Sequence, residues 1–190
     1  MSRADLTAHQ AITELFAARG SLVYGEAITQ LQHALQCAAL AEASGAAPAL
    51  IAAALLHDAG HLLHRDAAAA FAASEDDVHE AIGAKYLGLW FGPEVTQPIA
   101  LHVEAKRYLC RREASYYAGL SSLSQRSLAM QGDAMSEAEA RAFEAVPYAL
   151  DAVQVRRWDD TGKERGAATP DLAHFLALVA PCATGGRDTA

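Results

Sequence analysis

The residues with the most evident chemistry are His57 and Asp58, which follow one another inside an apolar segment. Residues 51–56, Ile-Ala-Ala-Ala-Leu-Leu, precede them directly. A buried charge is costly unless it is paired or bound to a metal. An imidazole followed by a carboxylate in this setting therefore predicts a bound cation. The alternative is a helical ion pair at the surface, which the apolar flank disfavours.

Three further histidines, His33, His79 and His102, also lie in apolar segments with helical patterning. Each one alone could be a core histidine bonded to a backbone carbonyl. Together with His57-Asp58 they predict a metal centre whose ligands come from several helices. Asp159, next to Trp158, could complete the ligand set, although the neighbouring Asp160 leaves this assignment open.

The number of donors predicts two metal ions. Five nitrogen or oxygen donors and a bridging carboxylate exceed the four positions of one tetrahedral zinc. They suit two ions of iron, manganese or a similar metal, each with open positions. On a continuous helix His57 and Asp58 would diverge by about 100°, so Asp58 could reach between two metals. His61 lies one turn after His57 and is either a further ligand or faces the open side.

Composition narrows the class of protein. The chain has 190 residues, of which 52% are hydrophobic and only 7% aromatic, so closely packed helices rich in alanine and leucine are expected. The net charge of -8, without a basic stripe, argues against nucleic acid as a partner. The three cysteines form no Cys-x-x-Cys pair. The sequence shows neither the pattern of a signal peptide nor a long apolar run, so we expect no leader and no membrane span. We expect a reduced, cytoplasmic protein that does not bind membranes.

Glycine and proline divide the chain into predicted helices, and strand signals are weak. Residues 20–26 are predicted to be a loop, and Ser136 with Glu139 fits a capping box. Asp76 and Asp77 are expected to cap the fourth helix. The sequence predicts an all-α single domain over residues 1–180 and a loose tail over 181–190. The predicted helices cover residues 4–19, 27–44, 47–64, 76–91, a segment from about 92 through 102, 121–131, 136–145, and a last one from 147.

The pattern of His33, His57-Asp58 and Asp159 resembles the HD-domain superfamily of helical metalloproteins, most of which hydrolyse phosphate esters. His79 and His102 resemble its binuclear branch. Over about residues 10 to 165 the chain is further similar to a narrow group, the mixed-valence di-iron oxygenases that cleave 1-hydroxyalkylphosphonates. The phrases that carry this likeness are residues 25–28 (Gly-Glu-Ala-Ile), Gln30-Leu31, 53–58 (Ala-Ala-Leu-Leu-His-Asp), 105–109 (Ala-Lys-Arg-Tyr-Leu), Gln131-Gly132 and 156–159 (Arg-Arg-Trp-Asp).

The resemblance implies a single-domain HD helical bundle with two iron ions in an Fe(II)/Fe(III) pair. One iron would be bound by His33, His57 and Asp159. The other would be bound by His79 and His102, with Asp58 as the bridge. His61 would lie near the substrate hydroxyl, and Asp58 and His61 would be catalytic.

The resemblance also implies a phosphonate site made of Lys106, Ser124, Ser127, Gln131 and Arg156. A phosphonate dianion needs fixed cations and several donors, which this set supplies. The alternatives are a surface lysine and, for the two serines, caps at a helix start. Tyr24 and Glu26 would line the end of the pocket that receives the substrate's amine.

Two departures from the group bear on the substrate. The representative of this group has, at the place of Val23, a tyrosine that can occupy the open iron position, whereas here the tyrosine falls one position later, at Tyr24. Either the loop shifts by one residue so that Tyr24 fills that role, or the pocket is wider. Asp133-Ala134 also replaces the representative's Gly-Pro. A roomier, more acidic end suits a quaternary ammonium group. The favoured reaction is therefore oxygen-dependent cleavage of (R)-1-hydroxy-2-(trimethylamino)ethylphosphonate to glycine betaine and phosphate.

Three alternatives remain open at this point. The substrate could be 2-amino-1-hydroxyethylphosphonate, giving glycine and phosphate. The protein could instead be a metal-dependent HD phosphohydrolase, or a metal-binding domain without turnover. In the favoured case the partners are a small-molecule phosphonate and dioxygen, and the sequence leaves the oligomeric state open.

Overall fold

The computed structural model describes residues 6–24, 28–63 and 78–184. This part of the chain contains eleven α-helices. The predicted all-α class is confirmed. Two-residue strands β1 (Val23–Tyr24) and β2 (Ile28–Thr29) form one antiparallel pair. The helices are α1 (Ala8–Arg19), α2 (Gln30–Ala43), α3 (Pro48–Leu56), α4 (Ala59–Leu63), α5 (His79–Leu87), α6 (Pro93–Arg112), α7 (Tyr116–Gly119), α8 (Ser122–Met130), α9 (Glu137–Glu144), α10 (Ala149–Thr161) and α11 (Leu172–Val179).

Capping residues explain why the first helices begin later than predicted. Thr7 and Thr29 each form a capping box, with Gln10 and Gln32 as the third helical residues. Each threonine accepts a hydrogen bond from a first-turn backbone N–H, which satisfies a group that a helix leaves unpaired. α1 therefore begins at Ala8 instead of residue 4, and α2 begins at Gln30 instead of residue 27.

The predicted continuous helix over residues 47–64 is wrong, because the helix is interrupted at His57-Asp58. α3 ends at Leu56, and α4 restarts at Ala59 with a backbone bond from His61 N to Asp58 O. Adjacent side chains on a continuous helix diverge by about 100°. The interruption instead lets His57 Nε2 and Asp58 Oδ1 approach to 3.5 Å.

Two later helix starts also differ from the sequence prediction. α5 follows Val78, which has the positive φ of 44°, whereas the predicted caps Asp76 and Asp77 lie outside the described residues. α10 begins after Tyr148, with φ of 65°, and not at Pro147. The capping box of Ser136 and Glu139 is present as predicted and opens α9.

The C-terminal part contains a helix that the sequence analysis did not predict. Asp171 accepts from His174 N and so caps α11, and a 3-10 turn follows at Ala180–Cys182. Ala183 then pairs with Phe91, and Thr184 N donates to Trp90 O at 2.8 Å. Residues 181–184 are thus bound to the body of the domain, and the rest of the predicted tail, 185–190, lies outside the described residues.

α6 is the central helix, since α3, α5 and α10 pack against it. The main core around it is rich in alanine, and Ala52, Ala53 and Ala54 on α3 are fully buried. Small side chains let helix backbones approach closely, so the residues that project from them meet in a small volume. Even α6, the longest helix of the described chain, is not apolar enough to cross a membrane, nor is any other described helix.

We predict that Gly60→Ala destabilises the domain, because a Cβ there would lie 1.9 Å from the carbonyl oxygen of His79. The atoms that the new methyl group would meet belong to the backbone of His79, which has little room to move away. Overpacking of this kind costs about 1–3 kcal/mol. Thermal unfolding would measure the loss. Gly119→Ala is the matched control, because nothing lies within 4 Å of its Cβ position. Equal unfolding temperatures for both variants would contradict the prediction.

Candidate metal centre

Four helices and one junction between helices bring six potential ligands together. His33 lies in α2, His57 and Asp58 at the α3–α4 junction, and His79 opens α5. His102 lies in α6, and Asp159 near the end of α10. All six are buried, with at most 8% of any residue exposed. The six residues predicted as metal ligands are therefore brought into one buried cluster.

The first half of the cluster consists of His33, His57 and Asp159. The Nε2 atoms of the two histidines are 3.2 Å apart, and His33 Nε2 lies 3.4 Å from Asp159 Oδ1. His33 Nδ1 is 2.8 Å from Gly162 O, and His57 Nδ1 is 2.9 Å from Ala54 O. A carbonyl only accepts hydrogen bonds, so Nδ1 carries the hydrogen in both rings. Both Nε2 atoms are thereby directed to the centre.

The second half consists of His79 and His102, whose Nε2 atoms are also 3.2 Å apart. His102 Nδ1 lies 2.7 Å from Ile99 O, which again directs Nε2 inward. Asp58 lies between the halves. Its Oδ1 is 3.5 Å from His57 Nε2, 3.6 Å from His79 Nε2 and 3.7 Å from His102 Nε2. Its Oδ2 is 3.7 Å from His33 Nε2.

This donor set fits metal ions. Two Nε2 lone pairs that face each other in a dry interior repel, unless a proton or a metal cation lies between them. Asp58 Oδ2 is buried and has no hydrogen-bond partner among the described residues. A carboxylate oxygen without a donor, surrounded by imidazole nitrogens, is what two cations with nitrogen and oxygen ligands would satisfy. The carboxylate's central place between both histidine pairs suits a bridge.

The protonation states of four of the six residues also suit metal binding. Burial lowers the pKa of His57. Burial and the neighbouring His79 lower the pKa of His102, so both rings are neutral. Burial acts to raise the pKa of Asp58, but His57, His61 and His79 lower it overall. For Asp159 burial is likewise outweighed, by Arg156 and Lys163. Neutral imidazoles and ionised carboxylates are the forms that bind metals.

His61 lies at the edge of the cluster. Its ring stacks on His79 with centroids 3.9 Å apart, and its Nε2 is 4.0 Å from Asp58 Oδ1. A quarter of its side chain is exposed, in contrast to the six buried ligands. It therefore lies at the more exposed edge of the centre, and it is also close enough to Asp58 and His79 to share a metal ion with them.

A buried cation lies one turn beyond His102 on α6. Lys106 is only 2% exposed, and its Nζ donates to Ser127 Oγ at 2.7 Å. No carboxylate of the described residues lies within 4.0 Å of this ammonium. Burial and the nearby Arg156 lower the pKa of Lys106 to about 7. A buried ammonium whose hydrogen-bond partner in the described part of the chain is a hydroxyl is suited to receive an anion.

α8 and its C-terminal cap carry three of the predicted phosphonate donors, of which Ser127 contacts Lys106. Ser124, Ser127 and Gln131 follow at intervals of three and four residues and so share a face. The predicted alternative, that the serines cap a helix, does not hold: Ser121 is the cap and accepts from Ser124 N. Gln131 Oε1 is buried without a partner in the described part of the chain.

Arg156 contacts one predicted metal ligand and acts electrostatically on Lys106. Its Nη1 is 2.7 Å from Asp159 Oδ2, while Nη2 pairs with Asp160. Its Nε donates to Tyr116 OH at 3.2 Å, and Tyr116 in turn donates to Asp160. The guanidinium is therefore fixed on two sides, and it orients the carboxylate of Asp159.

The predicted amine end of the pocket is largely untested. Glu26 lies outside the described residues, and of Tyr24 only the backbone in β1 is described. Asp133 is exposed at a turn with φ of 58°, and its carbonyl accepts from Arg107 Nε. Its carboxylate is thus at the surface of the described chain.

The family can be decided by comparison, since residues 31–159, from near the first ligand to the last, match the HD domain. The chain belongs to the HD-domain family. It is 48% identical over 171 residues to a hydroxymethylphosphonate dioxygenase of Gimesia maris, which is 89% of this chain and 85% of that protein. It is 38% identical over 166 residues to a glycine-betaine-forming [1-hydroxy-2-(trimethylamino)ethyl]phosphonate dioxygenase of Leisingera caerulea, at 87% and 85% coverage.

These relatives confirm the predicted membership of the phosphonate-oxygenase group within the HD-domain family. They also confirm that the chain is an enzyme and a metal-binding protein. The identity of the metal and the roles of single residues stay predictions.

Several residues that this HD domain uses around its centre were missed from the sequence. Gln36, Tyr116, Gly162 and Lys163 all contact a ligand or the segment that orients one. Lys163 Nζ, for example, lies 3.3 Å from Asp159 Oδ1. Its place four residues after Asp159 was the available signal, because such pairs are neighbours on a helix.

We predict that metal binding weakens as the pH falls. Burial acts to lower the pKa of His33, but Cys37 and Asp159 raise it overall in the metal-free chain. A proton and a metal compete for the same Nε2, so each bound metal releases protons. Calorimetric Mn(II) titration between about pH 8 and about pH 6 would show the lower affinity at acid pH. An affinity independent of pH would contradict the prediction.

Proposed function

We propose that this enzyme uses dioxygen to cleave the carbon–phosphorus bond of a small 1-hydroxyalkylphosphonate. The carrying observation is the buried ammonium of Lys106, one helical turn from the ligand His102, with Ser127 as its hydrogen-bond partner among the described residues. An anion site beside a two-metal ligand set suits a substrate whose phosphonate is recognised while its carbon reacts at the metals. The two phosphonate dioxygenases among the relatives support the same reaction class.

We propose iron as the metal, in an Fe(II)/Fe(III) pair. His33, His57 and Asp159 would hold one ion, His79 and His102 the other, and Asp58 would bridge them. Histidine and carboxylate donors with open positions suit iron that reacts with dioxygen. When bound, the pair would supply the electrons and the activation of dioxygen that the organic side chains lack.

The side chains around the pair would position the substrate. Lys106, Arg156, Ser124, Ser127 and Gln131 would bind the phosphonate oxygens and so fix the C1 carbon over the metals. Arg156 can do this while it orients Asp159, since a guanidinium offers five N–H donors. His61, at the exposed edge of the centre, would accept a hydrogen bond from the C1 hydroxyl.

Hydroxymethylphosphonate is the substrate that we place first, because the relative named for it is 48% identical to this chain. The products would be formate and phosphate, and the atoms balance with dioxygen as the only co-reactant. The trimethylamino substrate favoured by the sequence analysis is the second candidate, supported by the relative at 38% identity. It gives glycine betaine and phosphate.

The experiment is turnover of the iron-loaded protein with each of three phosphonates: hydroxymethyl-, 1-hydroxy-2-(trimethylamino)ethyl- and 2-amino-1-hydroxyethylphosphonate. We expect phosphate release that consumes one dioxygen per phosphate and stops under argon. Phosphate release from none of them would overturn the proposal. Anaerobic hydrolysis of a phosphate ester with Mn(II) or Mg(II) would instead indicate an HD phosphohydrolase.

We predict that Lys106→Met raises KM by about 10- to 100-fold with a smaller change in kcat, since one charged hydrogen bond to the phosphonate is lost. Lys85→Met, an exposed lysine on α5, is the matched control and should leave both constants unchanged. Steady-state kinetics on the preferred phosphonate would measure both. A loss confined to kcat would contradict a role in phosphonate binding.

The same lysine predicts a pH dependence. Because its pKa is lowered to about 7, the free enzyme loses this charge as the pH rises, and Lys106 must then take up a proton from solvent when a phosphonate dianion binds. KM should therefore increase from about pH 7 upwards in the unmodified enzyme. In Lys106→Met this increase should be absent, and its persistence would assign it to another group.

A further inference from the structure

The segment Gly162 to Glu164, directly after α10, lies beside the metal centre and has no role in the proposals above. Gly162 O accepts the hydrogen bond from His33 Nδ1 at 2.8 Å. Lys163 Nζ lies 3.3 Å from Asp159 Oδ1. One short segment therefore contacts two residues of the same half of the centre.

Gln36 fixes this segment to α2, the helix that also carries His33. Its Nε2 donates to Glu164 O at 2.8 Å, and its Oε1 accepts from Glu164 N at 2.9 Å. The residue is buried, with 6% exposed. Both polar ends of one buried amide are thus satisfied by the backbone of one distant residue, which sets the distance of the segment from α2.

The segment is also closely packed against α2 at Gly162. A Cβ on Gly162 would lie 2.8 Å from Cys37 Sγ and 3.1 Å from Trp158 O. The φ of Gly162 is −74°, which any residue adopts, so glycine is needed here for space. Cys37 is fully buried on α2, one turn after His33. The backbone of the segment therefore approaches α2 as closely as the atoms allow.

We infer that Gln36 and Gly162 are positioning residues for the metal held by His33 and Asp159. They keep the Gly162 carbonyl at hydrogen-bond distance from His33 Nδ1, which fixes the tautomer that directs Nε2 to the metal. Neither residue touches the metal. The inference rests on the proposed two-metal centre and adds the elements that hold one half of it.

The test is Mn(II) titration of the metal-free full chain, with calorimetry and electron paramagnetic resonance as readouts. Gln36→Met keeps the length of the side chain but removes both hydrogen bonds. We expect one of the two binding events to weaken by about tenfold or more and the other to stay unchanged. Gln97→Met, an exposed glutamine on α6, is the matched control and should bind both ions normally.

A second pair of variants keeps the test decisive if Gln36→Met does not fold. Gly162→Ala should weaken the same binding event, because the new methyl group pushes the segment from α2. The double variant Cys37→Ala/Gly162→Ala removes the sulfur that the methyl group meets and should recover part of the affinity. General damage to the fold would not be reversed by a second core truncation.

The outcomes separate the inference from the proposed function. Two normal binding events in folded Gln36→Met would overturn the inference and leave the metal centre intact, as would a double variant no better than Gly162→Ala. An unmodified chain that binds fewer than two Mn(II) ions would overturn the two-metal centre, and the inference with it.

Discussion

The structure depends on one electrostatic constraint: four imidazole rings and two carboxylates are gathered in one buried cluster. His33 and His57 face each other at 3.2 Å, as do His79 and His102, and Asp58 lies between the pairs. Lone pairs and a carboxylate oxygen in a dry interior are costly without cations. Burial removes the alternatives that water would offer. The fold therefore has to be rigid enough to hold the donors together, and it must leave space between them for metal ions.

The alanine-rich core provides that rigidity. Fully buried alanines on α3 let α2, α6 and α11 pack closely, and Gly60 lets α4 reach the backbone of His79. The interruption of the helix at His57-Asp58 has a cost, because backbone groups lose their helical partners there. Its effect is that the adjacent residues His57 and Asp58 approach to 3.5 Å at one site. Close packing and the local interruption of the helix thus both bring the predicted ligands together.

Much of this could be predicted from the residues. His57-Asp58 in an apolar segment, and histidines in other apolar segments, predicted a cluster that the fold does bring together. The all-α class followed from composition and from the spacing of glycine and proline. The helix break was missed, because propensity in Ala-Leu-Leu-His-Asp-Ala gives no sign of it and the cause is tertiary. Gln36 and Gly162 were missed for a similar reason: their partners are 128 and 129 residues away in sequence, and a single sequence does not show such pairs.

The arrangement of charge also explains why metal ligands and anion donors can lie so close together. The metal half carries the carboxylates Asp58 and Asp159, and the proposed phosphonate half carries Lys106 with hydroxyl donors. Arg156 forms an ion pair with Asp159 and lowers the pKa of Lys106, so its charge acts on both halves of the site. Asp160 and Tyr116 hold its other edge. With the guanidinium so fixed, the charge of Asp159 is balanced by a direct ion pair, which lowers the repulsion that a dianion bound at Lys106 would meet.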